Sequence, residues 1–191
     1  MNRADRKHKN LVIEMLTDSF DENKSVNYVV KPGTNRRDRI KNLMSYSFEV
    51  CNKFGDVWIS DDLNTCALVL LPDRKKFTIS GVYWDLKLAL SVIGLGRIGK
   101  VMGRESKIKA RHPMLPFAYL WFIGVKRSFQ NQGIGTKLLH EILEIYRAAN
   151  RPIYLETSVD RNLPWYTKNG FELFESLELS YPLYFLRKSV V

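Results

Sequence analysis

Residues 117–158 hold the feature that most limits the fold. Phe117–Val125 reads Phe-Ala-Tyr-Leu-Trp-Phe-Ile-Gly-Val, nearly all apolar, as a central strand buried on both faces would be. It runs through Lys126-Arg127-Ser128-Phe129 into Gln130-Asn131-Gln132-Gly133-Ile134-Gly135-Thr136, where Gln130, Gly133 and Gly135 fit Gln/Arg-x-x-Gly-x-Gly/Ala. Ile134, Leu138, Ile142, Ile145 and Ala149 then recur at helical spacing and predict one core-facing stripe. Ile153–Ser158 comes after Pro152 as a second strand. Strand, glycine turn, helix and strand in that order make a crossover between parallel strands, which commits the chain to an α/β sheet.

The turn also has a chemistry. A helix that opens on such a turn leaves its first N–H groups unpaired and pointing one way. The helix dipole adds positive potential there, so the turn suits a phosphate or pyrophosphate. Two glycines remove the Cβ atoms that hold a ligand off the backbone. Any strand-to-helix turn favours glycine, however, so this stretch alone leaves anion binding and plain turn geometry both open. A second glycine run, Gly94-Leu95-Gly96-Arg97-Ile98-Gly99, fits Gly-x-Gly-x-x-Gly literally. It comes after a helical pattern instead of a strand, and no acidic residue closes a βαβ unit about 20 residues on. It reads as a helix break or lid.

Around this unit, Leu11, Val12, Met15, Leu16 and Phe20 predict a first helix, and Ile40, Leu43, Met44, Phe48 and Val50 a second over about 35–53. The stretch between them, with Pro32 and Gly33, reads as a loop. Val57–Ser60 and Thr65–Leu71 predict two strands joined by an Asp61-Asp62-Leu63-Asn64 turn. Residues 82–110 read as helical, with the glycine break inside. A short helix from about Asn162 to Lys168 ends at Asn169-Gly170, and Phe171–Leu179 and Tyr184–Arg187 predict closing strands. No repeat or linker interrupts the chain, and residues 1–191 read as a single domain.

The 191 residues suffice for one sizeable core. No stretch of 18 or more residues is apolar, so no membrane span is expected, and the first ten residues lack the apolar centre of a signal peptide. Two cysteines, Cys51 and Cys66, are too few for a disulfide framework; a reduced, cytoplasmic setting with both thiols packed is the expectation. The formal charge of +10 suits a polyanionic ligand, nucleic acid or an anionic surface, but the basic residues are dispersed. No known reader motif for nucleic acid is present, and three histidines and two cysteines show no metal-ligand spacing.

When the turn is taken together with residues 154–171, the chain resembles the GNAT superfamily of N-acetyltransferases. The resemblance rests on Gln130-Asn131-Gln132-Gly133-Ile134-Gly135 after the 117–125 strand. It rests equally on Tyr154-Leu155-Glu156-Thr157-Ser158, then Asn162-Leu163-Pro164-Trp165-Tyr166 and Gly170-Phe171. The second set is especially similar to the puromycin acetyltransferase-like branch. The likeness implies a GNAT-type α/β fold: a central mixed, mostly antiparallel sheet with a parallel splayed pair and flanking helices. It implies acetyl-CoA as co-substrate, no metal and an amine acceptor, with no nucleic acid or membrane as partner and a homodimer left open. Family members seat pantetheine between the splayed strands. By resemblance the backbone of Ile123, Gly124 and Val125 pairs with it, and the N–H groups of Gln130, Asn131, Gln132, Gly133, Ile134, Gly135 and Thr136 cradle the pyrophosphate. Lys126, Arg127 and Lys137 stand near enough in sequence to add charge, or are plain surface charge. Asn162 is the candidate for the cofactor arm, or a helix N-cap. Tyr166, one helical turn later, is the candidate general acid toward the departing thiolate, or a core aromatic.

The implied reaction is direct attack of a neutral amine on the thioester, so a group must take the amine's proton. Many family members carry a glutamate on the strand equivalent to 117–125; this chain has none there. Glu156, on the next strand, is the candidate base, or a buried structural carboxylate. His112 is the other candidate, directly or through water, or a surface side chain. The usual first strand is not legible in residues 1–10, and Lys126-Arg127-Ser128 stands where Asp-Pro is common. The long 82–110 segment falls near the acceptor side, with Tyr83, Trp84 and Met102 as pocket or core residues. No acidic patch is evident, which speaks against a polyamine or lysine-rich protein as acceptor; the leading expectation is acetyl transfer to a small-molecule amine. A protein or peptide acetyltransferase and a non-catalytic acyl-CoA-binding sensor are the alternatives.

Overall fold

The computed structural model describes residues 1–190. Seven strands, β1 (Asn2–Arg3), β2 (Gly55–Ile59), β3 (Thr65–Leu70), β4 (Ala118–Val125), β5 (Ile153–Thr157), β6 (Glu172–Glu178) and β7 (Pro182–Lys188), form one sheet in the order β1-β2-β3-β4-β5-β7-β6. Every neighbouring pair is antiparallel except β4 and β5. Helices α1 (Lys9–Phe20), α2 (Lys24–Val29), α3 (Arg36–Phe54), α4 (Ile79–Leu88), α5 (Ile98–Lys109), α6 (Ile134–Ala148) and α7 (Leu163–Lys168) complete the described residues, with short single-turn helices between them.

Strand alternation sorts the core onto the two faces of the sheet. Val57, Ile59, Cys66 and Leu68 face one way and pack with Val12, Leu16, Ile40, Met44 and Phe48 of α1 and α3. Trp58, Ala67 and Val69 face the other way and pack with Leu138, Leu139, Ile142 and Tyr146 of α6. Both cysteines are free and buried, as packing groups.

Several expectations are corrected. The core stripe of α6 is Leu138, Leu139, Ile142, Leu143 and Tyr146, whereas Ile145 and Ala149 are exposed; Tyr146 turns inward because its hydroxyl donates to Asp56 Oδ2 at 2.7 Å. The loop after α1 contains the six-residue α2, started by Asn23, whose side chain accepts from Val26 N. Residues 2 and 3 do form a strand, against Trp58 and Ile59; both side chains are exposed, so no apolar pattern marks it.

The central strand is not buried on both faces: buried and half-buried residues alternate along β4. Between Leu68 and Val69 the register on β4 jumps from Phe122 to Leu120, leaving Trp121 as an extra residue. A bulge of this kind reverses the side-chain phase of the strand. Ala118 and Leu120 accordingly pack on the α6 face, and Phe122 on the α1 face with Trp121 beside it.

Three residues past the bulged Trp121, Gly124 lies directly on α1. A Cβ there would stand 2.8 Å from Leu16 Cδ2 and 3.2 Å from Ser19 Oγ, and Leu16 is fully buried. Gly124→Val is expected to destabilise the fold by about 1–3 kcal/mol through overpacking, measured as a fall in Tm of several degrees; an unchanged Tm would show that α1 yields freely.

Candidate active site

The parallel pair positions the site. Ala118 pairs with Ile153 and Tyr119 with Tyr154, and there the pairing stops, although β4 continues to Val125 and β5 to Thr157. Beyond that point β4 is held only by β3 and β5 only by β7. A cleft of about 1700 Å³ opens where the two strands part, with Ile123, Gly124 and Val125 along one side. Ser19 Oγ and Gln130 Nε2 donate to the Val125 carbonyl, at 3.2 and 3.4 Å.

One end of the cleft is the glycine turn. Asn131 and Gly133 have left-handed backbones, φ +62° and +78°, and Gly133 is the N-cap of α6. None of the N–H groups of residues 131–136 donates to a backbone or side-chain acceptor among the described residues; the first bond of the helix is Lys137 N to Gly133 O. Six consecutive donors at the positive end of a fifteen-residue helix make an anion cradle. A Cβ on Gly133 would meet nothing within 4 Å, so the backbone angle alone calls for glycine there. At Gly135 a Cβ would stand 3.0 Å from Val125 Cγ2, so close approach to β4 is the requirement. Gln130 and Gln132 brace the turn through backbone carbonyls, the latter through Ser128 O at 3.2 Å. Arg127 lines the cleft here, and Lys126 donates to Asn64 Oδ1 at 3.1 Å.

The wall adjoining the turn is α7. Asn162 is the N-cap of α7 by position, but its side chain makes no capping bond, and the residue lines the cleft. Trp165 Nε1 donates to Thr136 Oγ1 at 2.9 Å, tying α7 to the first turn of α6. Tyr166 also lines the cleft; it is 6% exposed and packs on Trp165 and Phe171. Burial pushes its phenol well above the usual tyrosine range, so the hydroxyl keeps its proton.

The other end of the cleft carries the titratable cluster. Glu156, with a side chain only 7% exposed, lies 3.0 Å from His112 Nε2 through Oε1, and Tyr119 donates its hydroxyl proton to Oε2. His112 is thus no surface histidine: its ring packs against Phe117 and Tyr119. Burial, then Glu156, pushes the Tyr119 phenol up, so it remains a donor. Next along the wall, Tyr119 stacks on Trp121 and Trp121 meets Tyr46 edge-on; Tyr46 donates to Asp85 Oδ1 at 2.7 Å. Asp85, Glu105 and Glu156 all line the cleft. The acidic groups that no run in the sequence announced are therefore assembled from three separate elements. Met102 borders the cleft as well, whereas Tyr83 is 60% exposed. His140 is on the helix surface, bonded to Asn169. Burial pushes both thiols up, Cys51 and Cys66, so neither is a nucleophile as placed. Among the described residues no cluster suited to a metal ion occurs.

The expected site residues converge on this cleft. Tyr119, Trp121, Tyr46, Asp85 and Glu105 join it without a motif to mark them in the sequence. Period-2 reading could have flagged Tyr119, which pairs with Tyr154 two positions before Glu156; nothing local marks the others.

Comparison with known proteins agrees with this geometry. A family model described as the acetyltransferase (GNAT) family matches residues 73–171, just over half of the chain. The fold is similar to that of a protein described as histone acetyltransferase HPA2 and related acetyltransferase from Corynebacterium glutamicum, with a TM-score of 0.69 at 17% identity over 98% of this chain and 94% of the other. It is similar to arylalkylamine N-acetyltransferase 2 from Aedes aegypti, with a TM-score of 0.68 at 14% identity over 100% and 98%. The C-terminal condensation domain of Ebony, solved with beta-alanyl-dopamine, gives a TM-score of 0.72 at 11% identity over 98% and 96%.

Proposed function

The chain belongs to the GNAT acetyltransferase family, and from that premise we propose that it transfers an acetyl group from acetyl-CoA to the amine of a small molecule by direct attack. The observation that carries the donor half is the run of free N–H groups at residues 131–136 beside a β4 edge that β5 has left. A diphosphate suits the first and an extended amide chain the second. Bound there, acetyl-CoA supplies an acyl group on a good thiol leaving group. Ile123, Gly124 and Val125 would hold the pantetheine, the turn from Gln130 to Thr136 the pyrophosphate, and Asn162 the arm between them.

The chain's own residues divide the proton work. Glu156 is the base that takes the amine proton, with His112 on one oxygen and the Tyr119 hydroxyl on the other fixing the carboxylate. Tyr166 gives a proton to the departing sulfur, which its raised pKa keeps available. A sensor without chemistry would have no use for a buried base on one side of the cleft and a protonated phenol on the other. Aromatic Tyr46, Tyr119 and Trp121 beside Asp85, Glu105 and Glu156 suit a cationic amine with a flat apolar body, by cation–π and charge attraction. Within the family, Tyr154–Ser158 with Asn162 to Tyr166 supports the branch that resembles puromycin acetyltransferase.

Calorimetry tests the donor half. CoA is expected to bind with a Kd of about micromolar or tighter, and Gly133→Glu, which sets a carboxylate among the free N–H groups, to weaken it by at least about tenfold. Failure of the wild type to bind CoA would remove the proposal. A screen of amines that tracks thiol release then identifies the acceptor.

A further inference from the structure

Helix α4 is apolar on the side that faces away from the protein. Its Ile79, Val82, Tyr83 and Leu86 recur at helical spacing, continued by Leu90 in the next turn. Ile79 and the preceding Phe77 are 87% and 88% exposed, and Leu86 57%. None of the ten helical residues is buried within the described structure. Thr78 caps the helix through the Gly81 N–H, but an isolated helix of ten residues is marginal in water. Such a face in a folded chain calls for a cover.

The charge around the face says which cover fits. Arg74, Lys75 and Lys76 lead into the helix and Lys87 lies on it, all exposed. None of the four forms an ion pair among the described residues, and Asp85 is the one carboxylate between residues 74 and 90. A second copy of the chain fits poorly. A twofold contact sets the same patch against itself and would bring these cations together. The footprint of a ten-residue helix, about 15 Å long and 10–12 Å across, is also far below the roughly 800 Å² per partner of a stable dimer. An apolar stripe flanked by unpaired Lys and Arg is what an anionic bilayer surface takes up. No single helix is long and apolar enough to cross a membrane, and α4 with its continuation meets the α5 side at 93°, so the stripe would lie along the surface.

We propose that the outward face of α4, with Phe77 and the cations at its start, docks the protein on an anionic lipid surface. This departs from the expectation of no membrane partner. The opposite side of the same helix contributes Asp85 and Leu88 to the cleft, so docking sets the acceptor end of the site at the lipid headgroups, where an amphiphilic amine is concentrated. The inference does not depend on acetyl transfer.

Flotation with vesicles provides the test. The wild type is expected to float with mixed phosphatidylcholine–phosphatidylglycerol vesicles and not with pure phosphatidylcholine, and to be released by salt. The double variants Ile79→Asp with Leu86→Asp, and Lys76→Glu with Lys87→Glu, are each expected to lose roughly tenfold or more of the partitioning with thermal unfolding unchanged. No flotation of the wild type, or equal flotation with both vesicle types, would overturn the proposal. So would a dimer in solution that the Ile79→Asp, Leu86→Asp variant dissolves, which would assign the face to a second copy.

Discussion

Glu156→Gln is expected to lower kcat for acetyl transfer by about 10²–10⁴-fold, the usual contribution of a positioned general base, with CoA affinity retained. The substitution keeps the volume of the side chain. An amide can still accept from the Tyr119 hydroxyl and still meet His112, so the packing around β5 survives while the proton acceptor is gone. The carboxylate is held by His112 on one oxygen and the Tyr119 hydroxyl on the other, so its burial is compensated. Stopped-flow or steady-state thiol release with any accepted amine reads the effect. Turnover equal to wild type would leave Glu156 a structural group and pass the role to His112 or water.

Tyr166→Phe is expected to lose about 10²-fold or more in kcat for want of the proton donated to the leaving sulfur, again with CoA binding kept. Phenylalanine preserves the contacts with Trp165 and Phe171. The direction of the pKa shift fixes the pH behaviour. A phenol raised above its ordinary value near 10 holds its proton at every pH below that value. The active form is therefore present across the neutral range, and any alkaline fall in rate due to Tyr166 lies above about pH 10. An unchanged kcat in the variant, or an alkaline limb near pH 8 that the variant abolishes, would refute the acid role.

Much of the site was legible in the chain because it is local. The turn at Gln130–Thr136, the crossover from 117 to 158 and the short helix carrying Asn162 and Tyr166 are each specified by residues within a few positions of one another, where periodicity and glycine placement speak. What the sequence did not disclose depends on register and on distant elements. The bulge at Trp121 has no glycine or proline to mark it; it exists because β3 and β4 change step at Leu68. The acidic groups of the acceptor end come from α4, α5 and β5, and His112 reaches Glu156 across 44 positions. The six residues of α2 were hidden because a stretch holding only Val26 and Val29 as buried groups shows no helical period. The outward face of α4 carries an apolar pattern as clear as any core helix, and composition alone cannot say on which side of a helix the protein lies.

The parting of β4 and β5 has a mechanical consequence. The seven strands are two leaves, β1 to β4 and β5 with β7 and β6, hinged at two residue pairs, 118 with 153 and 119 with 154. The strong seams lie within each leaf, and the crossing of α6 is the strap between them. Whatever is seated in the gap closes the seam that the chain leaves open. A ligand that pairs with the free edges of both leaves would stiffen the sheet as it binds, so ligand capture and the rigidity of the sheet are coupled.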